Sequence, residues 1–324
     1  MRQIPLDAIT DAAKHVYKAA VRTPLVKLDL PFASANGPAP EVYLKLESLQ
    51  PIGSFKIRGA WNAVRKLTPE QMKDGVWTVS AGNAAQGVAF AARLAGVPCS
   101  VMVMDTAPET KLRSIATLGA TIVTASYDEC WRTVEAHASN RMRGHFVHPF
   151  DDDDFIAGNA TAALEILEDL PDVDAVVAAL GGGGLLAGIG TVMRAKKPGV
   201  RVYAAEPETA APLDLSLRRG EASRFESWKP SFVDGAGGKS VLPTMWPLLK
   251  DLVDGSIVMS LDEIAAAMRK TAERVHIVAE GAGATAIAAA LSGRAGTGKI
   301  VAVVSGGNID LSRFSELVSA HAAI

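Results

Sequence analysis

Three kinds of short stretch in this sequence carry residues suited to chemistry. The first is Pro51-Ile52-Gly53-Ser54-Phe55-Lys56-Ile57-Arg58-Gly59-Ala60, where one lysine follows a turn-like run and stands at the mouth of a helical pattern over 58–66. A lysine held in such a frame can attack a carbonyl as an amine. The second is Gly181-Gly182-Gly183-Gly184-Leu185, four glycines in a row after an apolar run. Glycine lets successive backbone N–H groups point inward together, and a following helix start adds a favourable dipole, so a phosphate is the natural guest. A bare tight turn explains one or two glycines. Four, each costly in unfolded-chain entropy, favour an anion site. The spacing does not match the G-x-G-x-x-G pattern, and no acidic residue is placed for a ribose. The third kind comprises Ser80-Ala81-Gly82-Asn83-Ala84 and Ser305-Gly306-Gly307-Asn308, polar turns that also follow apolar runs. A phosphate cradle together with one specially framed lysine points to pyridoxal phosphate, whose aldehyde condenses with a lysine amine.

The elements that must position these turns are legible as alternation. Strands are expected at 41–47, 76–80, 99–105, 120–125, 145–150, 174–180, 201–206 and 299–305. Between them lie patterns such as AAQGVAFAARLAG (84–96), with apolar residues at helical spacing and Gly96 as the stop. Such alternation implies an α/β architecture with open, mostly parallel sheets flanked by helices, and parallel sheets bind ligands at the carboxyl ends of their strands. Three expected strands end in the glycine-bearing turns named above. Residues 207–245, rich in Pro, Gly and Ser, read as a long excursion.

Charged residues make up 21 % of the 324 residues, with a formal net charge of −2. That balance gives no electrostatic footprint for nucleic acid or for an acidic membrane surface. The two cysteines, Cys99 and Cys130, read as buried, reduced small hydrophobes. The N-terminal MRQIPLDAITDAAKHV lacks the apolar core of a signal peptide, and no apolar run is long enough to span a membrane. A cytoplasmic protein acting on a small molecule is the expectation.

The residues also carry a family resemblance. Arg22-Thr23-Pro24-Leu25, Lys45-Leu46-Glu47, the stretch Gly53 to Ala60, Ser80-Ala81-Gly82-Asn83, Gly181 to Gly184, Ala205-Glu206-Pro207 and Ser305-Gly306-Gly307-Asn308 occur in the order found in fold-type II pyridoxal-phosphate enzymes. The chain most resembles their serine/threonine dehydratase and serine racemase branch. The resemblance implies a two-domain fold like the β subunit of tryptophan synthase. A large domain would take residues 1–47 and 151–324, and a small domain 48–150. It implies Lys56 as the lysine that binds the cofactor and moves the substrate's Cα proton, with Phe55 packed beside the cofactor. Asn83 would bond the ring hydroxyl, Gly181 to Gly184 with Leu185 would hold the phosphate, and Ser305 would face the pyridine nitrogen. Ser80, Ala81, Gly82, Asn83 and Ala84 would capture the substrate carboxylate. The implied activity is loss of water and ammonia from an L-3-hydroxy amino acid, threonine or serine first and 3-hydroxyaspartate next. The alternatives are amino-acid racemisation and a non-catalytic binding module on the same fold. A homodimer is the family expectation. The chain ends soon after its S-G-G-N motif, so the regulatory domain of biosynthetic threonine deaminases is not expected.

Several positions depart from the family pattern. Relatives with a divalent-cation site present E-P-x-x-A-x-D. Here Glu206, Pro207 and Ala210 match, but Pro212 stands in the last position, with Asp214 nearby. Proline offers no side-chain oxygen, so no dedicated metal site is expected; Glu206 and Ala210 are weak candidates, with Asp214 placed to compensate for the missing ligand. Ala84 replaces a frequent histidine, and Glu280-Gly281-Ala282-Gly283-Ala284 replaces E-P-x-G-A. Both changes fall near the substrate. The run Asp151 to Asp154 reads as an exposed helix start rather than a cation site. The histidines, His15, His137, His145, His148, His276 and His321, show no metal-ligand spacing.

Overall fold

Ala175–Ala179 reads AVVAA and is buried along its whole length, as a strand covered by helices on both faces must be. Val76–Val79 behaves the same way. The computed structural model describes residues 2–29 and 40–320. Among these, ten strands form two sheets: β1 (Leu25–Lys27), β2 (Glu41–Lys45), β3 (Val76–Val79), β4 (Cys99–Met104), β5 (Thr121–Ala125), β6 (His145–Phe146), β7 (Ala175–Ala179), β8 (Arg201–Pro207), β9 (Gly255–Met259) and β10 (Lys299–Val303).

The chain divides into two compact units. One takes in Met1–Gln3, Arg22–Leu49 and Ala162–Ile324. Its six-stranded sheet runs β1-β2-β10-β7-β8-β9 and is parallel except for β1 against β2. The other takes in Ile4–Val21 and Gln50–Thr161, with an all-parallel sheet in the order β5-β4-β3-β6. Residues 4–21, expected with the larger domain, pack here instead. Val16, Ala19 and Ala20 join the core of Ile52, Ile57 and Val64, and Trp61 Nε1 donates to the His15 carbonyl at 3.0 Å.

Each sheet has one topological switch point. In the larger unit the chain steps from β7 to β8 to β9, then places β10 on the other side of β7. In the smaller unit it steps from β3 to β4 to β5, then places β6 on the other side of β3. Crevices outside the carboxyl ends of such strand pairs are where open α/β sheets bind ligands. The turns after β7 and β10 share one of these edges, and the turns after β3 and β6 share the other.

Three local readings change. The helix expected from Arg58 spans Lys56–Arg65, so the lysine is its first residue. The strand expected over 145–150 stops at Phe146, because Pro149 has no N–H and the His148 ring takes the N–H groups of Phe150 and Asp151. The acidic run does start a helix, Asp153–Asp169, with Asp152 Oδ1 accepting from Phe155 N at 2.8 Å, but Asp151 is buried. Strands β1 and β9 had no expectation. No helix among the described residues is long and apolar enough to cross a membrane.

Candidate active site

In the smaller unit the functional residues gather around one amine. Lys56 opens its helix, and the ammonium nitrogen lies 2.5 Å from the Pro149 carbonyl oxygen, on the segment that follows β6. The rings of Phe55 and Phe155 flank it, each centroid 5.3 Å away. Burial draws the Lys56 pKa down to about 7, so much of the amine is uncharged at neutral pH. Helix Lys56–Arg65 approaches its neighbours closely through glycines. A Cβ on Gly59 would stand 2.6 Å from Asn159 Oδ1, and one on Gly87 3.1 Å from the Lys56 carbonyl. Larger residues at either position would push the lysine's backbone.

The turn after β3 is built for an anion. Ser80 Oγ accepts from Gly82 N at 3.1 Å, and Gly82 caps the helix Asn83–Ala95. Ser80, Ala81, Gly82 and Asn83 are half-buried, while Ala84 is buried. The first N–H groups of a helix have no intrahelical partner and carry its positive end, which suits a carboxylate.

In the larger unit the four-glycine turn follows β7 and leads into helix Gly184–Lys196. Gly183 has φ of 93°, which glycine adopts freely. A Cβ on Gly181 would stand 2.8 Å from the Gly235 carbonyl, and one on Gly183 2.8 Å from Leu249 Cδ1. At Gly181 and Gly183 the turn admits only bare backbone, at the start of a long helix, which fits a phosphate. Ser305, buried, leaves the end of the adjacent strand β10. Val304 N donates to the Lys45 carbonyl at 2.9 Å, and Ser48 N to the Val304 carbonyl at 3.0 Å. A buried network fixes that frame. Lys45 Nζ lies 2.6 Å from Glu165 Oε2 and 2.7 Å from the Thr23 carbonyl, and Thr23 Oγ1 donates to Glu47 Oε1 at 2.6 Å. This accounts for the Arg22-Thr23-Pro24-Leu25 and Lys45-Leu46-Glu47 motifs as scaffolding. A buried neutral hydroxyl, a glycine turn at a helix start and an amine of near-neutral pKa are donors of the kinds that pyridoxal phosphate needs.

Glu206 serves the start of a helix. That side chain is fully buried, with Oε1 accepting from Leu213 N and Oε2 from Asp214 N, each at 2.8 Å. Ser256 Oγ donates to Oε2 at 2.6 Å. Pro212 begins the helix Pro212–Arg219, and its carbonyl accepts from Ser216 Oγ. Burial pushes the Glu206 pKa up to about 7, against the pull of these hydrogen bonds. The carboxylate caps the start of this helix.

The fold does bring together groups that sequence spacing kept apart. Ligand atoms of His137, His148 and Asp151 lie within 4.8 Å of one another. Both His148 nitrogens are nevertheless engaged: Nε2 donates to the Val134 carbonyl at 3.2 Å, and Nδ1 accepts from Phe150 N at 3.2 Å and Asp151 N at 2.7 Å. The ring has no lone pair to spare for a metal. His321 lies outside the described residues. Cys99 and Cys130 are free and buried, and burial raises both thiols, to about 12 and about 11. Pro149, His148 and Phe155 were missed from the sequence. The one signal was the His148-Pro149 pair inside the strand expected over 145–150.

Comparison with known proteins gives the family. A family model described as pyridoxal-phosphate dependent enzyme matches residues 16–306. An L-threonine ammonia-lyase of Thermotoga maritima is 39 % identical over 98 % of this chain and 78 % of its own length. A serine racemase of Dictyostelium discoideum is 36 % identical over 98 % of this chain and 99 % of its own. The solved structure of the processed form of threonine deaminase isoform 2 from Solanum lycopersicum superposes with a TM-score of 0.84 at 29 % identity, covering 98 % of this chain and 93 % of that one. With a match across almost its whole length, the chain belongs to the pyridoxal-phosphate dependent enzymes of fold type II, in the threonine dehydratase and serine racemase family, and pyridoxal 5′-phosphate is its cofactor.

Proposed function

We propose that the chain is a dehydratase, an ammonia-lyase that removes water and ammonia from an L-3-hydroxy amino acid to give a 2-oxo acid. L-threonine and L-serine are the first candidate substrates and 3-hydroxyaspartate the next. When bound, the cofactor supplies an electrophilic aldehyde and a conjugated ring that spreads negative charge from the substrate's Cα. Lys56 would hold the cofactor through that aldehyde, and its free amine would take the Cα proton. An amine with a pKa near 7 is suited to both tasks. The N–H groups of Ser80 to Ala84 at the helix start hold the substrate carboxylate. Gly181 to Gly184 and Leu185 hold the phosphate, Asn83 bonds the ring hydroxyl, and Phe55 packs beside the ring. Ser305, a neutral hydroxyl, would face the pyridine nitrogen and offer it no acidic partner, a setting that would favour prompt loss of a β-leaving group. We further assign the protein to the cytoplasm as a homodimer, for which light scattering of the purified protein is the check.

The single observation that carries elimination over racemisation is Ala81. Racemisation needs a proton-transfer group on each face of the planar carbanion, and Lys56 serves one. In the serine racemase branch a serine of the S-S-G-N loop serves the other. Here that position holds a methyl group, with no transferable proton. Loss of a general acid–base group costs about 10²–10⁴-fold in rate, enough to decide which product dominates. The test is chiral chromatography of residual substrate beside a 2-oxo acid assay, over a panel of 3-hydroxy amino acids. Elimination should far outrun interconversion of L and D forms, and Ala81→Ser should restore some racemisation. Equal rates in the unmodified protein would move the assignment to racemase.

A further inference from the structure

The segment after β6 carries a second layer of organisation around Lys56. β6 ends at Phe146, and Val147 N still donates to the Trp77 carbonyl of β3 at 2.8 Å. The chain then turns sharply through His148, Pro149, Phe150 and Asp151. The buried His148 ring sits inside this turn, where Nδ1 accepts both the Phe150 and the Asp151 N–H. Two N–H donors on one nitrogen require that nitrogen to be unprotonated. The opposite nitrogen faces a carbonyl, Val134 O at 3.2 Å, so it must carry the proton. One tautomer alone satisfies all three contacts. Phe150 packs edge-on at 4.6 Å and His137 stacks at 4.5 Å between ring centroids, which removes the ring's freedom to rotate. The carbonyl enclosed by this arrangement is that of Pro149, and it is the one that receives the Lys56 amine. A proline before those N–H groups has no donor of its own to compete for the ring.

We propose that His148 is a positioning residue: held with its proton on Nε2, its ring shapes the 148–151 turn so that the Pro149 carbonyl receives the Lys56 amine whenever the amine is off the cofactor. The role rests on the assignment of Lys56 as the cofactor-binding amine. The carbonyl orients the N–H bonds and leaves the lone pair to face away from Pro149. A base that must take a proton from one fixed carbon gains from such orientation, because an error of about 1 Å can cost on the order of 10²-fold in rate. Burial and the neighbouring His137 hold the His148 pKa down near 3, so the required neutral ring persists through the physiological range.

Two substitutions separate positioning from mere packing. His148→Asn keeps an oxygen able to accept the same two N–H groups, as in an Asx turn, whereas His148→Leu keeps the bulk and loses the acceptor. Each enzyme is stripped of cofactor and refilled with pyridoxal phosphate, and attachment is followed by absorbance. Each loaded enzyme is also assayed for kcat and KM on an L-3-hydroxy amino acid. His148→Leu should attach cofactor about tenfold more slowly and lose a similar factor in kcat with KM little changed, and His148→Asn should stay within about threefold of the unmodified enzyme in both. Equal rates in His148→Leu and the unmodified enzyme, or His148→Asn as slow as His148→Leu, overturns the role. Should His148→Leu fail to fold, ring-nitrogen NMR of the unmodified holoenzyme decides. A neutral His148 ring with its proton on Nε2 at neutral pH supports the role, and a charged ring or a proton on Nδ1 overturns it. Attachment that persists unchanged in Lys56→Ala instead sinks the underlying assignment of Lys56.

Discussion

Lys56 shows how one residue's type and setting determine its chemistry. A solvated lysine holds its proton near 10.5, while this one, half-buried beside two phenyl rings, holds it only to about 7. Between those values the unfolded chain binds more protons than the folded one, so stability rises with pH across that window. Below it the folded state carries the full cost of a buried charge. Lys56→Met, of similar length and uncharged, should therefore stabilise the cofactor-free protein at pH 7 by an amount on the order of a few kcal/mol. The gain should fade as the pH approaches 10.5. Urea unfolding at several pH values is the check, and a gain that does not depend on pH would contradict the shifted titration. The lysine was legible in the sequence because glycine and proline framed it. Its partner Pro149 was not, because 93 residues separate them and only the strand order brings them together.

At the scale of elements, turns were easier to read than strands. Glycine identity is a direct record of backbone approach, and the four-glycine turn after β7 shows it: side chains at Gly181 and Gly183 would collide with Gly235 and Leu249. Gly182→Asp should place a carboxylate against the cofactor phosphate, weaken cofactor retention and leave the fold intact, since the change falls in a half-buried turn. Equilibrium dialysis against pyridoxal phosphate, with circular dichroism for the fold, measures this. Full occupancy at low cofactor concentration would show that the turn does not hold the phosphate. β6 was overextended because its apolar pattern continues past the point where a histidine ring withdraws two N–H groups from the ladder. β9 escaped notice because its GSIVM sequence is short and only partly buried. Glu206 matched a metal motif by sequence, and only its partners reveal that it caps a helix.

For the whole molecule, alternation of apolar runs and helical patterns was enough to give two mostly parallel sheets, because a crossover helix between parallel strands leaves that signature in any sequence. The membership of residues 4–21 was not readable. Their buried face of Ile9, Ala12 and Val16 is an ordinary amphipathic pattern that suits any core, and the choice is made by tertiary partners such as Trp61. The placement of the turns after β3, β7 and β10 at switch points follows from strand order, which no local pattern encodes. The proposed function depends on Lys56 being the amine that carries the cofactor. Borohydride reduction of the holoenzyme fixes the cofactor to that amine, and proteolysis with mass spectrometry then locates it. The pyridoxyl phosphate mass should appear on the peptide containing Lys56 and vanish in Lys56→Ala. The same mass on a different lysine, or on none, would contradict the account.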